Sequence, residues 1–164
     1  MPLRYVDPHR KRGRRYHQGV RFGRSRVGQF MARHIARRTD PYLFRLTRGR
    51  VNMGPIVNAP LRSTGAKSGK QREVQLTYFH DGSDVILLAS NFGGSRHPQW
   101  YHNLKAHPDC TFGLEPFTAT QVTDADDYAR LYELAEGVYA GYGDYREKTA
   151  DAGRRIPIFR LTPR

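Results

Sequence analysis

Ten consecutive residues, Ser63 to Arg72 (STGAKSGKQR), gather two glycines, three cations and three hydroxyls. Gly65 and Gly69 allow a tight turn that turns backbone N–H groups outward, and Lys67, Lys70 and Arg72 add positive charge around it. Ser63, Thr64 and Ser68 supply further donors. Such a loop suits a phosphate or a carboxylate. It is not a Walker A loop: Gly65 to Gly69 is one residue too short, and Gln71 stands where a Ser or Thr would hold magnesium. A solvated basic hairpin turn is the plain alternative for the same residues.

A second segment, Ala89 to Tyr101 (ASNFGGSRHPQWY), leaves an apolar run through paired glycines and enters a helix near His97-Pro98. A strand-to-helix loop of this kind lets a flat ring approach the main chain closely. Arg96 offers a second anion contact, and Trp100 either walls a pocket or packs in the core. A third segment spaces Tyr139, Tyr142 and Tyr145 by three. On a helix or 3₁₀ turn, phenols so spaced lie roughly on one face. There they could cover a ring, donate a proton to a substrate, or simply pack.

Other chemistries find little support. His97, His102 and His107 recur every five residues, the wrong interval for a helical metal face, and no HExxH is present, so no metal is expected. Neither the GxSxG elbow of Ser–His–Asp hydrolases nor a GxGxxG dinucleotide fingerprint occurs. Cys110 is the only cysteine. It excludes an internal disulfide and a cysteine-built zinc site, and fits a reducing cytoplasm.

Alternating and apolar runs predict the elements that position these loops. Strands are expected over Pro55–Arg62, Glu73–His80, Asp84–Ser90, Cys110–Leu114, Phe117–Val122 and Ile156–Thr162. Asp81-Gly82 is a hairpin signal, and Glu115-Pro116 reads as a break. Helices are expected over Pro98–Ala106 and over Asp124–Ala140, where Leu131, Leu134, Ala135 and Val138 make the apolar face and Thr123 with Asp126 resembles a capping box. About six strands and few helices suggest an α+β fold, a small antiparallel barrel with helices outside.

The net charge of +13 sits entirely in residues 1–50, which hold 15 Lys+Arg against Asp7 and Asp40; the other 13 basic residues are matched by 13 acids. The reading is a basic arm, 1–50, on an electrically neutral domain, 51–164. Arg10–Arg15 reads as disordered or surface-bound. Val27, Phe30, Met31 and Ile35, with Arg33, Arg37 and Arg38 among them, suggest a short basic amphipathic helix. Asp40-Pro41 reads as another helix start, with Tyr42, Leu43, Phe44 and Leu46 as its contacts and Gly49 as its stop. An arm of this charge suits an anionic surface, membrane or nucleic acid. The neutral barrel, lacking an RNA-binding aromatic motif, argues against nucleic acid. No secretory signal or spanning stretch is apparent, so the expected place is the cytoplasm, peripheral on the inner face of the membrane.

The order LRSTGAKSGKQRE, VILLASNFGGSRHPQWYHNLKAHPD, VYAGYGDYREKT and RRIPIFRL, from Leu61 to Leu161, resembles the deazaflavin (F420)-dependent nitroreductase family. The resemblance implies a split β-barrel of the flavin-reductase/pyridoxamine-phosphate-oxidase-like type that binds reduced F420 and passes hydride to a quinone, nitroaromatic or activated enone. It implies that Lys67, Ser68, Gly69 and Arg72 hold the coenzyme's phosphate and oligoglutamate tail. The ring would lie by Ala89, Ser90, Asn91, Gly94, Arg96, Pro98 and Trp100. Tyr139, Tyr142 and Tyr145 would line the substrate side, with Ser90 and Tyr142 hydrogen bonding to the acceptor oxygen. Asn91 departs from relatives that carry Lys there. Sibling barrels dimerise, which makes a homodimer an expectation. The alternatives are an FMN or haem protein on the same barrel, a non-catalytic F420 carrier, and a nucleic-acid module built on the arm.

Overall fold

The structure, a computed structural model, describes residues 3–31, 46 and 56–164. Seven antiparallel strands form one sheet: β1 Asn58–Thr64, β2 Gln71–Thr77, β3 Phe79–Asp81, β4 Asp84–Leu88, β5 Asp109–Phe112, β6 Glu115–Gln121 and β7 Ile158–Pro163. Their order across the sheet is β2-β1-β5-β6-β7-β4-β3. Strands β2 and β3 are the two edges, yet Tyr78 alone separates them in sequence. One residue spans only about 3.5 Å. The sheet must therefore curl until its edges meet, which makes it a split barrel. The single strand expected over Glu73–His80 is thus two strands, because the chain leaves one edge at Tyr78 and enters the other.

Both faces of the sheet are covered: Leu87, Phe159 and Leu161 share one face, Ile86 and Ile158 the other, and with Leu61 and Phe112 none is more than 1% exposed. β4 lies between β7 and β3, so its apolar run is flanked by strands on both sides. The expected break at Glu115-Pro116 is corrected: both residues belong to β6, and the turn is at Gly113, whose φ of 65° favours glycine. Pro116 is tolerated because the β6–β7 register begins one residue later, at Phe117.

Helix α3, Gln99–Ala106, follows Pro98. α4, Ala125–Val138, is capped by Asp124 rather than by the expected Thr123: the Asp124 carboxylate accepts from the Asp127 N–H at 2.8 Å. The chain then breaks at Tyr139 and Ala140 and starts α5, Gly141–Asp151, a separate helix where the sequence suggested a helix or 3₁₀ turn through all three tyrosines.

The described part of the arm is helical in α1, Arg14–Arg24, and α2, Arg26–Met31. The basic run overlaps α1 and is not all free of the domain. Tyr16 donates its hydroxyl proton to the Val138 carbonyl, Val20 is buried, and the Arg12 guanidinium lies 5.2 Å from the Tyr16 ring. Ahead of it, Val6 exchanges bonds with His80: its N–H donates to Nδ1 at 3.0 Å and its carbonyl accepts from the His80 N–H at 2.9 Å. Of the amphipathic helix read around Ile35, Val27 and Phe30 are described, and both are about 60% exposed. The helix start at Asp40-Pro41 falls outside the described residues.

A patch of ion pairs ties the β3–β4 hairpin to α4 and β7. Arg160 reaches Asp81, Asp84 and Asp127 at 3.0–3.1 Å, and Arg130 reaches Asp81 and Asp127 at 2.7 Å. Hydrogen bonds from Arg130, then those from Arg160, hold the Asp81 and Asp127 carboxyls below their ordinary range. A depressed carboxylate contributes stability that is complete above its unfolded pKa and fades as pH falls through the folded one. Arg160→Met should therefore cost about 1 kcal/mol at neutral pH, the upper end for partly exposed pairs. That difference should shrink below about pH 4. Urea unfolding at pH 7 and pH 3 checks both statements.

Candidate functional site

The β1–β2 turn is built by its own glycines. The Gly65 N–H donates to the Lys70 carbonyl at 2.9 Å and the Gly69 N–H to the Gly65 carbonyl at 2.8 Å. Gly69 has φ 64° and faces open space, while a Cβ on Gly65 would come within 2.6 Å of Ser68 Oγ. Lys67, Ser68, Lys70 and Arg72 are all exposed, and among the described residues none of the three cations meets a carboxylate. The turn is therefore a held backbone with unspent positive charge, the donor set that a polyanionic tail needs.

Sequence reasoning missed the residue that anchors this turn. Asn103, buried on α3, accepts from the Ala66 N–H at 3.1 Å through Oδ1 and donates through Nδ2 to Ser63 Oγ at 3.2 Å. An asparagine in mid-helix is a weak helix former, which is the one signal the sequence held.

Helix α3 is reached through the second segment, and here the backbone is unusual. Asn91 and Phe92 have φ of 49° and 56°, adjacent to Gly93 at 75°. Two consecutive non-glycine residues in this region cost about 1 kcal/mol or more each. The Asn91 side chain offsets part of it by donating Nδ2 to the Arg96 carbonyl at 2.9 Å. Gly94 carries an ordinary φ, but a Cβ there would press on Asn91 at 3.2 Å. Ser90 is half-buried, Ala89 fully buried, and Arg96 exposed. Trp100 is 6% exposed and packs its ring 5.8 Å from that of Phe159, so its body belongs to the core wall.

The three tyrosines do assemble, across the break between α4 and α5 rather than along one helix. Ring centroids lie 5.5 Å apart for Tyr139 and Tyr142 and 6.1 Å for each of the other two pairs. The Tyr139 and Tyr145 hydroxyls are 3.4 Å apart, and Tyr132 donates to the Tyr142 carbonyl at 3.0 Å. Burial pushes the Tyr142 phenol up from its usual value, so it keeps its proton throughout the neutral range. This cluster meets the second segment directly. Phe92 sits edge-on to Tyr145 at 6.3 Å, and a Cβ on Gly93 would stand 3.2–3.4 Å from Lys148 and Tyr145. A chain of contacts thus runs from the cationic turn through Asn103 and α3 to the strained loop and the buried tyrosines. Among the described residues no group of His, Cys, Asp and Glu could hold a metal.

The exposed cations at one end, without a carboxylate among the described residues, suit the coenzyme's anionic tail. At the other end the partly exposed main chain at Gly93 and Gly94 is one that a flat ring could approach. The comparisons agree with that fit. A model of the F420H(2)-dependent quinone reductases matches residues 36–163. An F420H(2)-dependent quinone reductase of Mycobacterium tuberculosis is 36% identical over 151 residues, which cover 84% of this chain and 99% of that protein. A solved F420-H2 dependent reductase shares 32% identity at TM-score 0.54, over 63% of this chain and 92% of its own. Another solved chain, described as a domain-swapped dimer, shares 30% identity at TM-score 0.60, over 76% of this chain and 93% of its own. With the barrel, the cationic turn and these matches in agreement, the chain belongs to the F420H(2)-dependent quinone reductase family.

Proposed function

We propose that this protein binds reduced F420 along the surface from the β1–β2 turn to the tyrosine cluster and reduces a quinone-type acceptor there. The observation that carries this reading is the cationic turn: its cations have no carboxylate partner among the described residues, and Asn103 fixes it to the helix that follows the strained loop. When bound, the deazaflavin supplies a hydride from its C5 carbon. Lys67, Ser68, the Gly69 N–H and Arg72 hold the anionic tail. Ala89, Ser90, Asn91 and Gly94 offer the ring a main-chain bed. Arg96 adds an anion contact at its rim, and Pro98 and Trp100 fix the helix start behind it. Tyr139 and Tyr145 exclude water from the acceptor, and Ser90 and the protonated Tyr142 hydrogen bond to its oxygen.

Fluorescence titration with F420 tests the reading: saturable binding in the low micromolar range or tighter is expected. Silence toward F420 together with tight FMN uptake would overturn it.

The arm supplies the second part of the proposal, docking on anionic lipid, where a lipid-soluble quinone is met. Phe22, Val27 and Phe30 are each more than half exposed beside the arm's basic residues. Among the described residues no helix is long and apolar enough to cross a membrane, and the exposed apolar groups suit shallow insertion. Because Val6 and Val20 are packed on the domain, deleting the arm would strip folded contacts, and surface substitutions make the better test. The full chain should pellet with vesicles containing an anionic phospholipid, and a Phe22→Ser, Val27→Ser, Phe30→Ser variant should pellet several-fold less. Equal pelleting removes this part. The domain-swapped neighbour supports a homodimer, which sedimentation velocity would reveal.

A further inference from the structure

Arg154 is buried, at 9% exposure, yet it forms no ion pair among the described residues. It follows α5 and reaches 64 residues back along the chain into the strained loop. Nη1 donates to the Ala89 carbonyl at 3.1 Å and lies 3.0 Å from His97 Nδ1, and Nη2 donates to the Ser90 carbonyl at 2.7 Å. Its Nε is buried without a partner. A guanidinium taken out of water without a counter-charge is costly, and a neutral amide could hold one or two carbonyls more cheaply. Keeping the cation here needs a reason beyond holding the loop together.

Peptide geometry indicates one. Among the described residues no peptide bond is cis, so each carbonyl points opposite to the N–H of the next residue. With the Ala89 and Ser90 carbonyls both turned to the guanidinium, the N–H groups of Ser90 and Asn91 turn away from it. A ring resting on the side of the loop away from Arg154 would meet them. The left-handed pair Asn91 and Phe92 begins at the next residue, so the clamp also sets the start of the strained turn.

We propose that Arg154 is a positioning residue for hydride transfer, which aims the Ser90 and Asn91 amides at the ring and backs them with a fixed, uncancelled positive charge. The inference rests on the F420 reading above. That charge holds the two carbonyls in place; a cation beside the ring does not itself help hydride to leave, so the rate effect is one of position. The charge also keeps His97 neutral, since Nδ1 must accept from Nη1 and the ring proton must sit on Nε2. Burial, then Arg154 and His102, hold the His97 pKa below its ordinary value, and Tyr101 stacks on the ring at 4.4 Å.

The test compares the wild type with Arg154→Gln, which loses charge and fork, and Arg154→Lys, which keeps the charge alone. Wild-type titration with F420 comes first. If the wild type does not bind, the functional reading fails and this inference falls with it. If it binds, both variants should stay within about 5-fold of the wild-type Kd, because the tail is held elsewhere. kcat with F420H2 and menadione should fall about 100-fold in Arg154→Gln and about 10-fold in Arg154→Lys, the scale of a misplaced reacting group. In the ligand-free protein, the NMR titration of His97 should move up toward the ordinary imidazole range in Arg154→Gln and stay low in Arg154→Lys. An unchanged kcat in either folded variant, or an unmoved His97 in Arg154→Gln, overturns the proposal. Should Arg154→Gln not fold, kcat of Arg154→Lys decides alone.

Discussion

Removing two of the turn's three positive charges, in Lys67→Gln with Arg72→Gln, should weaken F420 binding by about 30-fold at low salt and leave the melting temperature unchanged. The two outcomes have separate causes. The turn is held by main-chain bonds within Gly65–Lys70 and by Asn103, none of which involves a charged side-chain head. Both cations are exposed and meet no carboxylate among the described residues, so their loss removes no ion pair there. Each would meet the tail near solvent, where a charged contact contributes roughly 1 kcal/mol rather than its buried value. Two such losses amount to about 2 kcal/mol, and RT converts that to roughly 30-fold. Salt should erase the difference, because the Debye length falls to about 3 Å at 1 M. Isothermal titration at 20 mM and 1 M salt reads both effects. Equal affinities at low salt would make the turn a solvated basic hairpin, the plainer reading of the same ten residues.

The turn illustrates what a sequence can reveal about such a site. Its glycines, cations and hydroxyls are consecutive, so the composition of one short window carries the chemistry. The second segment is local too, and the strand-to-helix loop was legible from Ala89 to Trp100. The groups that fix these loops in place were not. Asn103 lies 37 residues from Ala66, and Arg154 lies 64 from Ser90. Nothing in the local pattern of either residue marks the partner, since a long-range hydrogen bond is a product of the sheet's curl and not of periodicity. The same limit explains the misplaced strand ends. Apolar alternation ran unbroken through Tyr78, and the edge-to-edge passage there is imposed by closure. At Glu115-Pro116 the proline outweighed Gly113 as a break signal, although an early position in a strand costs proline little. The tyrosines were read as one helical face. They converge because a second helix starts at Gly141 and folds back on the first.

Gly141→Ala should slow acceptor reduction by about 10–100-fold while leaving F420 affinity near that of the wild type. Gly141 opens α5 with an ordinary backbone angle, and by propensity alone an alanine would stabilise the helix by about 1 kcal/mol. Space decides otherwise. The new Cβ would stand 2.4 Å from Cε1 and Cζ of Tyr139 and 2.6 Å from its hydroxyl oxygen, well inside contact distance. The Tyr139 ring is 9% exposed and packed edge-on against Tyr142 and Tyr145, so it cannot swing into solvent without disturbing both neighbours. Overpacking of this kind costs about 1–3 kcal/mol, which the gain in helix propensity partly offsets. The folded state should survive with its tyrosines displaced. A shift of about 1 Å in the groups that orient the acceptor is enough for the expected loss of rate. The cationic turn is a separate element, so coenzyme affinity should hold. Steady-state kinetics with F420H2 and menadione, beside an F420 titration, measure the two quantities. Tyr142→Phe is the matched control, since it removes one proton donor and keeps the packing. A rate loss in Gly141→Ala without one in Tyr142→Phe would make the cluster a wall rather than a proton source. Wild-type turnover in Gly141→Ala would take the tyrosines off the acceptor's path altogether.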